Sequence, residues 1–109
     1  MNEKLMYYGG QWHEALSGKR KEVTNPATGE VVGSVPAASR EDAARAIDSA
    51  AEAFPDWSER TASERSQFLY HAYELLVKRT DEIAKVLTSE QGKPLSEAKA
   101  EIKFGAEYL

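Results

Sequence analysis

The chain has 109 residues, 41% hydrophobic and 29% charged, with a formal net charge of −4; that is the balance of one small globular domain, not of a disordered tail or a nucleic-acid-binding surface. It holds no cysteine, which excludes disulfides, thiolate metal sites and a thiol nucleophile from these residues. The opening MNEKLMYYGGQW has no apolar run of signal-peptide length, and nothing approaches the ~20 apolar residues of a membrane span. The expected setting is therefore the cytoplasm or another reducing compartment, with neither nucleic acid nor membrane as a partner.

The first third reads as strands and tight turns. Gly9-Gly10 separates two short runs carrying Leu5, Tyr7, Tyr8 and Trp12, a two-residue hairpin signal because primed turns need positive φ. Tyr7, Tyr8 and Trp12 are expected to pack this hairpin against helices. Lys19-Arg20-Lys21, the only basic run, reads as a solvated hairpin tip. Val23 and Thr24 lead into Asn25-Pro26-Ala27-Thr28-Gly29, where Pro presets φ and Gly supplies a left-handed residue. Val31, Val32 and Val35 form the β-branched return strand.

From Ser39 the period becomes helical. Ser39, with Asp42 three residues on, has the form of a reciprocal cap. Ala43, Ile47, Ala50, Ala51 and Phe54 then share one face, and Pro55 is expected to stop the helix. Trp57, in the connection, reads as a core plug. Thr61 and Glu64 make a clearer capping box. Phe68, Leu69, Ala72, Leu75 and Leu76 are the apolar stripe of a second helix, running to about Arg79. Thr80-Asp81-Glu82 should cap a short third helix carrying Ile83, Ala84, Val86 and Leu87.

The stretch TSEQGKPLSEAK resembles a phosphate-binding loop only superficially. Such a loop needs a preceding strand and a glycine five residues ahead of Gly92, where Leu87 stands. Gly92 instead suits a left-handed helix end and Pro94 the start of the next helix, so the stretch reads as a helix–turn–helix joint. Leu95, Ala98, Ile102, Ala106 and Leu109 continue at helical spacing. Glu90 and Lys93 flank the turn as an exposed ion pair.

The resulting fold class is α+β, with β-hairpins over 1–36 and about four amphipathic helices over 37–109, expected to be a single incomplete domain. No GxGxxG, paired histidines or Ser-His-Asp signature is present, and the widely separated His13 and His71 do not suggest a metal site. The apolar faces of the helices want a layer that these few strands do not supply, so the chain reads as cut from something larger.

Taken together, YYGGQW, VTNPATGEVVGSVP, AFPDWSERTASER and TSEQGKPLSEAKAEI resemble, in order and spacing, the N-terminal segment of the aldehyde dehydrogenase superfamily. EQGKPLSEAKAEI is most similar to the succinate-semialdehyde dehydrogenase branch. The resemblance implies the outer part of an α/β cofactor-binding domain in an enzyme that oxidises an aldehyde to a carboxylate with NAD or NADP. It also implies a cysteine nucleophile, an amide and backbone N–H for the oxyanion and a glutamate that activates water. None of these has a counterpart here, so this chain alone is expected to be inactive and to bind no cofactor; its partners would be the remainder of its own chain and, in the intact enzyme, an aldehyde. A homo-oligomer is expected from the resemblance. Some members bind a monovalent cation through carbonyls before the Asn-Pro turn and an acidic residue before the Gly-Lys joint; the matching positions are Val23, Thr24 and Glu90, with Glu90 standing where members often have Asp. The rival expectation is a free-standing, non-enzymatic helical interaction module, whose exposed apolar faces would make it a defined oligomer.

Overall fold

A computed structural model describes residues 2–109, with side chains described from residue 3 onward. Among these residues are five strands, β1 (Asn2–Glu3), β2 (Met6–Tyr8), β3 (Gln11–His13), β4 (Arg20–Thr24) and β5 (Val31–Pro36), and four helices, α1 (Arg40–Glu59), α2 (Ala62–Lys78), α3 (Thr80–Gln91) and α4 (Leu95–Ala106). The residues fall into two units. One holds the strands and α1. The other consists of Asn25–Glu30 and Arg60–Leu109.

In the first unit the two-residue hairpin forms as its glycines require. Tyr8 pairs with Gln11 across Gly9 and Gly10, whose φ values are 61° and 74°, both in the region that only glycine enters cheaply. β4 and β5 form the second, antiparallel hairpin, with an irregularity between Val23 and Thr24. Pairing is not wholly antiparallel, however. β1 lies parallel to β5, giving the order β1-β5-β4. A two-residue strand carries no period of its own, so its pairing was invisible in the sequence.

Arg20 corrects the reading of the basic run. It begins β4 instead of capping a hairpin, and its half-buried guanidinium fans across the unit. Nη2 donates to the carbonyls of Lys4 and Ser34 at 2.7 and 3.0 Å, Nε to Ser34 Oγ at 2.9 Å, and Nη1 to both Glu14 carboxylate oxygens at 2.6 and 2.7 Å. A planar fork with five donors can make such a set where an ammonium cannot.

The aromatic hairpin also differs from expectation. Tyr7 and Trp12 lie 61% and 65% exposed and pack on one another, ring centroids 4.8 Å apart. Tyr8 stacks on His13 at 3.9 Å. What meets α1 is the turn: a Cβ on Gly9 would stand 2.9 Å from Ser49 Oγ.

Helix α1 starts with the reciprocal cap read from the sequence. Ser39 N–H donates to Asp42 Oδ2 at 2.8 Å, and Asp42 N–H to Ser39 Oγ at 3.3 Å. The expected stop at Pro55 does not occur, since α1 continues through it to Glu59. Proline's fixed φ is itself helical; what it removes is one N–H, whose acceptor would be Ala51 C=O. Ala51 is exposed, so water can serve that carbonyl. Ser58 Oγ donates to Pro55 O at 2.9 Å. Trp57 thus sits on α1 and is 38% exposed, not a plug.

In the second unit the Thr61–Glu64 capping box forms in full, with Thr61 N–H donating to Glu64 Oε2 at 2.8 Å. Thr80 does not cap α3. Its Oγ1 turns back to the carbonyls of Leu76 and Val77 at 3.2 and 2.8 Å, closing the end of α2, while Arg79 stands at the N-cap. α3 and α4 pack through small residues: Ala84, Ala98 and Ala106 are fully buried, and Lys99 Nζ reaches Asp81 Oδ1 at 2.9 Å. Across the described residues the only buried hydrophobic side chains are four alanines, these three and Ala15. Of the stripe expected on α2, Phe68, Leu69 and Leu75 are exposed.

Candidate functional site

The helix–turn–helix joint of the second unit is constrained in both backbone and packing. Gly92 ends α3 with φ 72° and ψ 10°, and its N–H donates to Thr88 O at 2.8 Å. Against it lies the Asn25–Glu30 turn, tied by local bonds that include Ala27 N–H to Asn25 Oδ1 at 2.9 Å, Gly29 N–H to Asn25 O at 2.8 Å, and Asn25 N–H to Glu30 O at 2.9 Å. A Cβ on Gly92 would meet Pro26 Cγ at 3.1 Å and Ala27 Cβ at 3.3 Å. Both the left-handed backbone and the close approach therefore call for glycine.

The same geometry bears on phosphate. The glycine of a phosphate cradle opens its backbone to the ligand, whereas the open side of Gly92 is filled by Pro26 and Ala27. The neighbouring Lys93 is engaged as well, its ammonium paired with Glu101 and not with Glu90 as the sequence suggested. The residues present do not fit a dinucleotide: Gly9-Gly10 is a hairpin turn and Gly92-Lys93 a packed helix end.

Val23 and Thr24 form the end of β4, at the irregularity in its pairing with β5. Glu90 lies exposed in the last turn of α3 and belongs to the other unit. Among the described residues no group of three or more His, Cys, Asp or Glu side chains could hold a metal ion.

The open clefts of the second unit include two of more than 500 Å³. One, about 540 Å³, is mainly apolar and lined by Leu76, Leu87, Ile102, Phe104 and Tyr108, with Glu101 among its walls. The other, about 520 Å³, is lined by Ser66, Gln67, Tyr70, His71 and Glu74. His71 Nδ1 stands 3.9 Å from Glu74 Oε2, too long for a hydrogen bond, and both side chains are mostly exposed. No nucleophile is oriented by a base in either cleft.

Two residues with structural consequence escaped the sequence reading. Arg20 lay inside a basic run that looked solvated, and no local signal marks it. Asp42 was read as a helix cap only, yet it is 2% exposed and also accepts Leu16 N–H at 3.0 Å. Its carboxyl is held below the ordinary aspartate value by the Ser39 backbone N–H first and that of Leu16 second, against the opposing effect of burial.

Comparison with known proteins follows this architecture. The pattern of the aldehyde dehydrogenase family matches residues 12–109. Glutarate-semialdehyde dehydrogenase of Pseudomonas putida KT2440 is 46% identical over 103 residues, 94% of this chain and 22% of that protein. The NADP-dependent succinate-semialdehyde dehydrogenase of Escherichia coli K12 is 42% identical over 100 residues, covering 92% of this chain and 21% of that one. Among solved structures, succinate-semialdehyde dehydrogenase from Burkholderia pseudomallei superposes with a TM-score of 0.93 at 43% identity, over 96% of this chain and 22% of that chain. An aldehyde dehydrogenase from Brucella melitensis biovar abortus 2308 gives 0.94 at 40% identity, with 96% and 22% covered. The chain belongs to the aldehyde dehydrogenase family. It spans about a fifth of the length of the curated relatives it matches.

Proposed function

We propose that this chain is the architectural front part of an NAD(P)-dependent dehydrogenase. The whole protein would convert an aldehyde and water to a carboxylate, passing hydride to NAD⁺ or NADP⁺. The single observation that carries this reading is the family match, which runs over residues 12–109. Because the chain contains no cysteine and, among the described residues, no cradle that fits a dinucleotide, it is inactive alone, and its contribution is support for residues outside it. Residues 1–109 are then one incomplete domain of the whole.

The substrate is a short aldehyde that already carries one carboxylate, succinate semialdehyde among the candidates. Relatives named for glutarate, malonate and succinate semialdehydes are 46%, 42% and 42% identical to this chain. Since all three match comparably, selection among acids of different length falls to parts of the protein beyond these residues. The test is to express the native reading frame through and beyond the codon for Leu109 and offer it the three semialdehydes with each nicotinamide cofactor. Formation of NADH or NADPH with at least one of them supports the reading; a full-length product inert toward all three, or a frame that closes after Leu109, defeats it.

A further inference from the structure

The two outer sides of the three-stranded sheet are closed in different ways. β4 forms one edge, and three of its five residues, Arg20, Lys21 and Glu22, are charged. Charge along an edge discourages a further strand from adding to it. β5 has no such protection. Its sequence, Val31-Val32-Gly33-Ser34-Val35-Pro36, holds three valines and no charge, and an uncharged β-branched strand is the kind that pairs with its like when left open. The irregularity in the β4–β5 ladder lies at the other end of this strand, so residues 33–36 keep a regular register. Along their free side runs β1, two residues long, which sets Asn2 against Gly33 and Glu3 against Ser34.

So short a strand is held by few bonds of its own, yet this one is fastened. Lys4 N–H donates to Ser34 O at 3.1 Å. Arg20 Nη2 reaches both Lys4 O and Ser34 O, and its Nε donates to Ser34 Oγ. The guanidinium is in turn held by Glu14. Glu3 and Lys4 are exposed, while Ser34 is buried. A short charged segment is thus clamped onto the buried centre of an uncharged strand, and the new edge it presents is both short and charged, two features that oppose strand addition.

We propose that β1 is an edge guard: clamped by Arg20, it keeps a second copy of this chain from adding to β5. The excluded occupant follows from β5 itself. Laid antiparallel on its own copy about Ser34, β5 would set Gly33 opposite Val35 and Ser34 opposite Ser34, with no like charges meeting. The same operation on β4, about Glu22, would oppose two carboxylates, which is destabilising. The inference stands apart from the enzymatic reading, because its readout is mass and not turnover.

The test compares the product of the native reading frame, intact and with residues 2–4 deleted. Both are followed by sedimentation velocity over a wide range of concentration, and by hydrogen exchange of the peptide covering 31–36. The deletion should raise the weight-average mass about twofold or more above that of the intact protein at the same high concentration, as a new pairing of copies requires. Exchange at 31–36 should slow as the concentration of the deleted protein rises. Equal masses of the two proteins at every concentration overturn the proposal. So does association that leaves exchange at 31–36 unchanged, which would assign the contact to another surface. If the deleted protein loses its circular dichroism, Lys4→Pro, which withdraws the N–H given to Ser34, is read in its place by the same criteria. Loss of fold in both variants also overturns the proposal, since a guard must be removable from a folded unit.

Discussion

The carboxylate of Asp42, in the first turn of α1, accepts the backbone N–H of Leu16 from 26 residues earlier in the chain, at 3.0 Å. The same side chain closes the helix cap through Ser39. One buried carboxylate thus serves both the start of a helix and the loop after the aromatic hairpin, and each of these hydrogen bonds favours its ionised form.

That arrangement sets a pH dependence. The folded-state pKa of Asp42 lies below its ordinary value of 3.8, so the group favours the folded form above that value. The contribution is lost as pH falls through the lower, folded-state value. Asp81, depressed chiefly by its bond to Lys99, and Glu64, depressed by the Thr61 N–H, act in the same direction. Denaturant midpoints measured from neutral pH down into the carboxylate range should fall on the acid side. Asp42→Asn should lower the neutral-pH midpoint and make the acid limb shallower without abolishing it. An unchanged acid slope in that variant would show that the Asp42 contacts do not persist in solution.

Arg20 should matter more than its place in a basic run suggests. Arg20→Ala leaves the Ser34 hydroxyl and two carbonyls without their charged donor, and a loss of about 2 kcal/mol is expected, typical of hydrogen bonds to a charged group. Arg20→Lys should recover little, because a single ammonium cannot reproduce the fork. Amide exchange should then quicken at Lys4, whose carbonyl Arg20 holds. Lys19→Ala and Lys21→Ala, at exposed positions, provide the neutral comparison. A full rescue by lysine would mean that charge alone, not geometry, is what the unit uses.

Gly92→Ala should destabilise the second unit by about 1–2 kcal/mol from the left-handed backbone alone, and further from the approach of Pro26 and Ala27. Gly10→Ala shares the positive φ but meets nothing within 4 Å, so its cost should be the backbone share only. Chemical denaturation of the two variants side by side separates strain from crowding. Equal losses would remove the close approach from consideration.

Features governed by neighbouring residues were legible in the sequence, and features governed by distant ones were not. Gly9-Gly10, the Thr61–Glu64 box and the Gly92 helix end each follow from backbone chemistry within a few residues, and each is where it was expected. Pro55 misled because the rule treats proline as a stop, while an exposed carbonyl four residues earlier makes it tolerable. Thr80 misled because a hydroxyl can serve the helix behind it as readily as the one ahead. The parallel pairing of β1, the fan of Arg20 and the Leu16–Asp42 bond join parts of the chain that no local period relates. At the candidate site, the joint was legible from Gly92 and Pro94. Val23, Thr24 and Glu90 came only through family likeness, since carbonyl ligands carry no side-chain signature.

The most direct measurement of the central claim is nicotinamide absorbance with the purified 109-residue chain, glutarate or succinate semialdehyde, and NAD⁺ or NADP⁺. A chain that supports chemistry located elsewhere should give a trace indistinguishable from buffer at every concentration of protein. A rate proportional to the chain and surviving repurification would contradict that, and would require a catalytic group among residues where none has been identified.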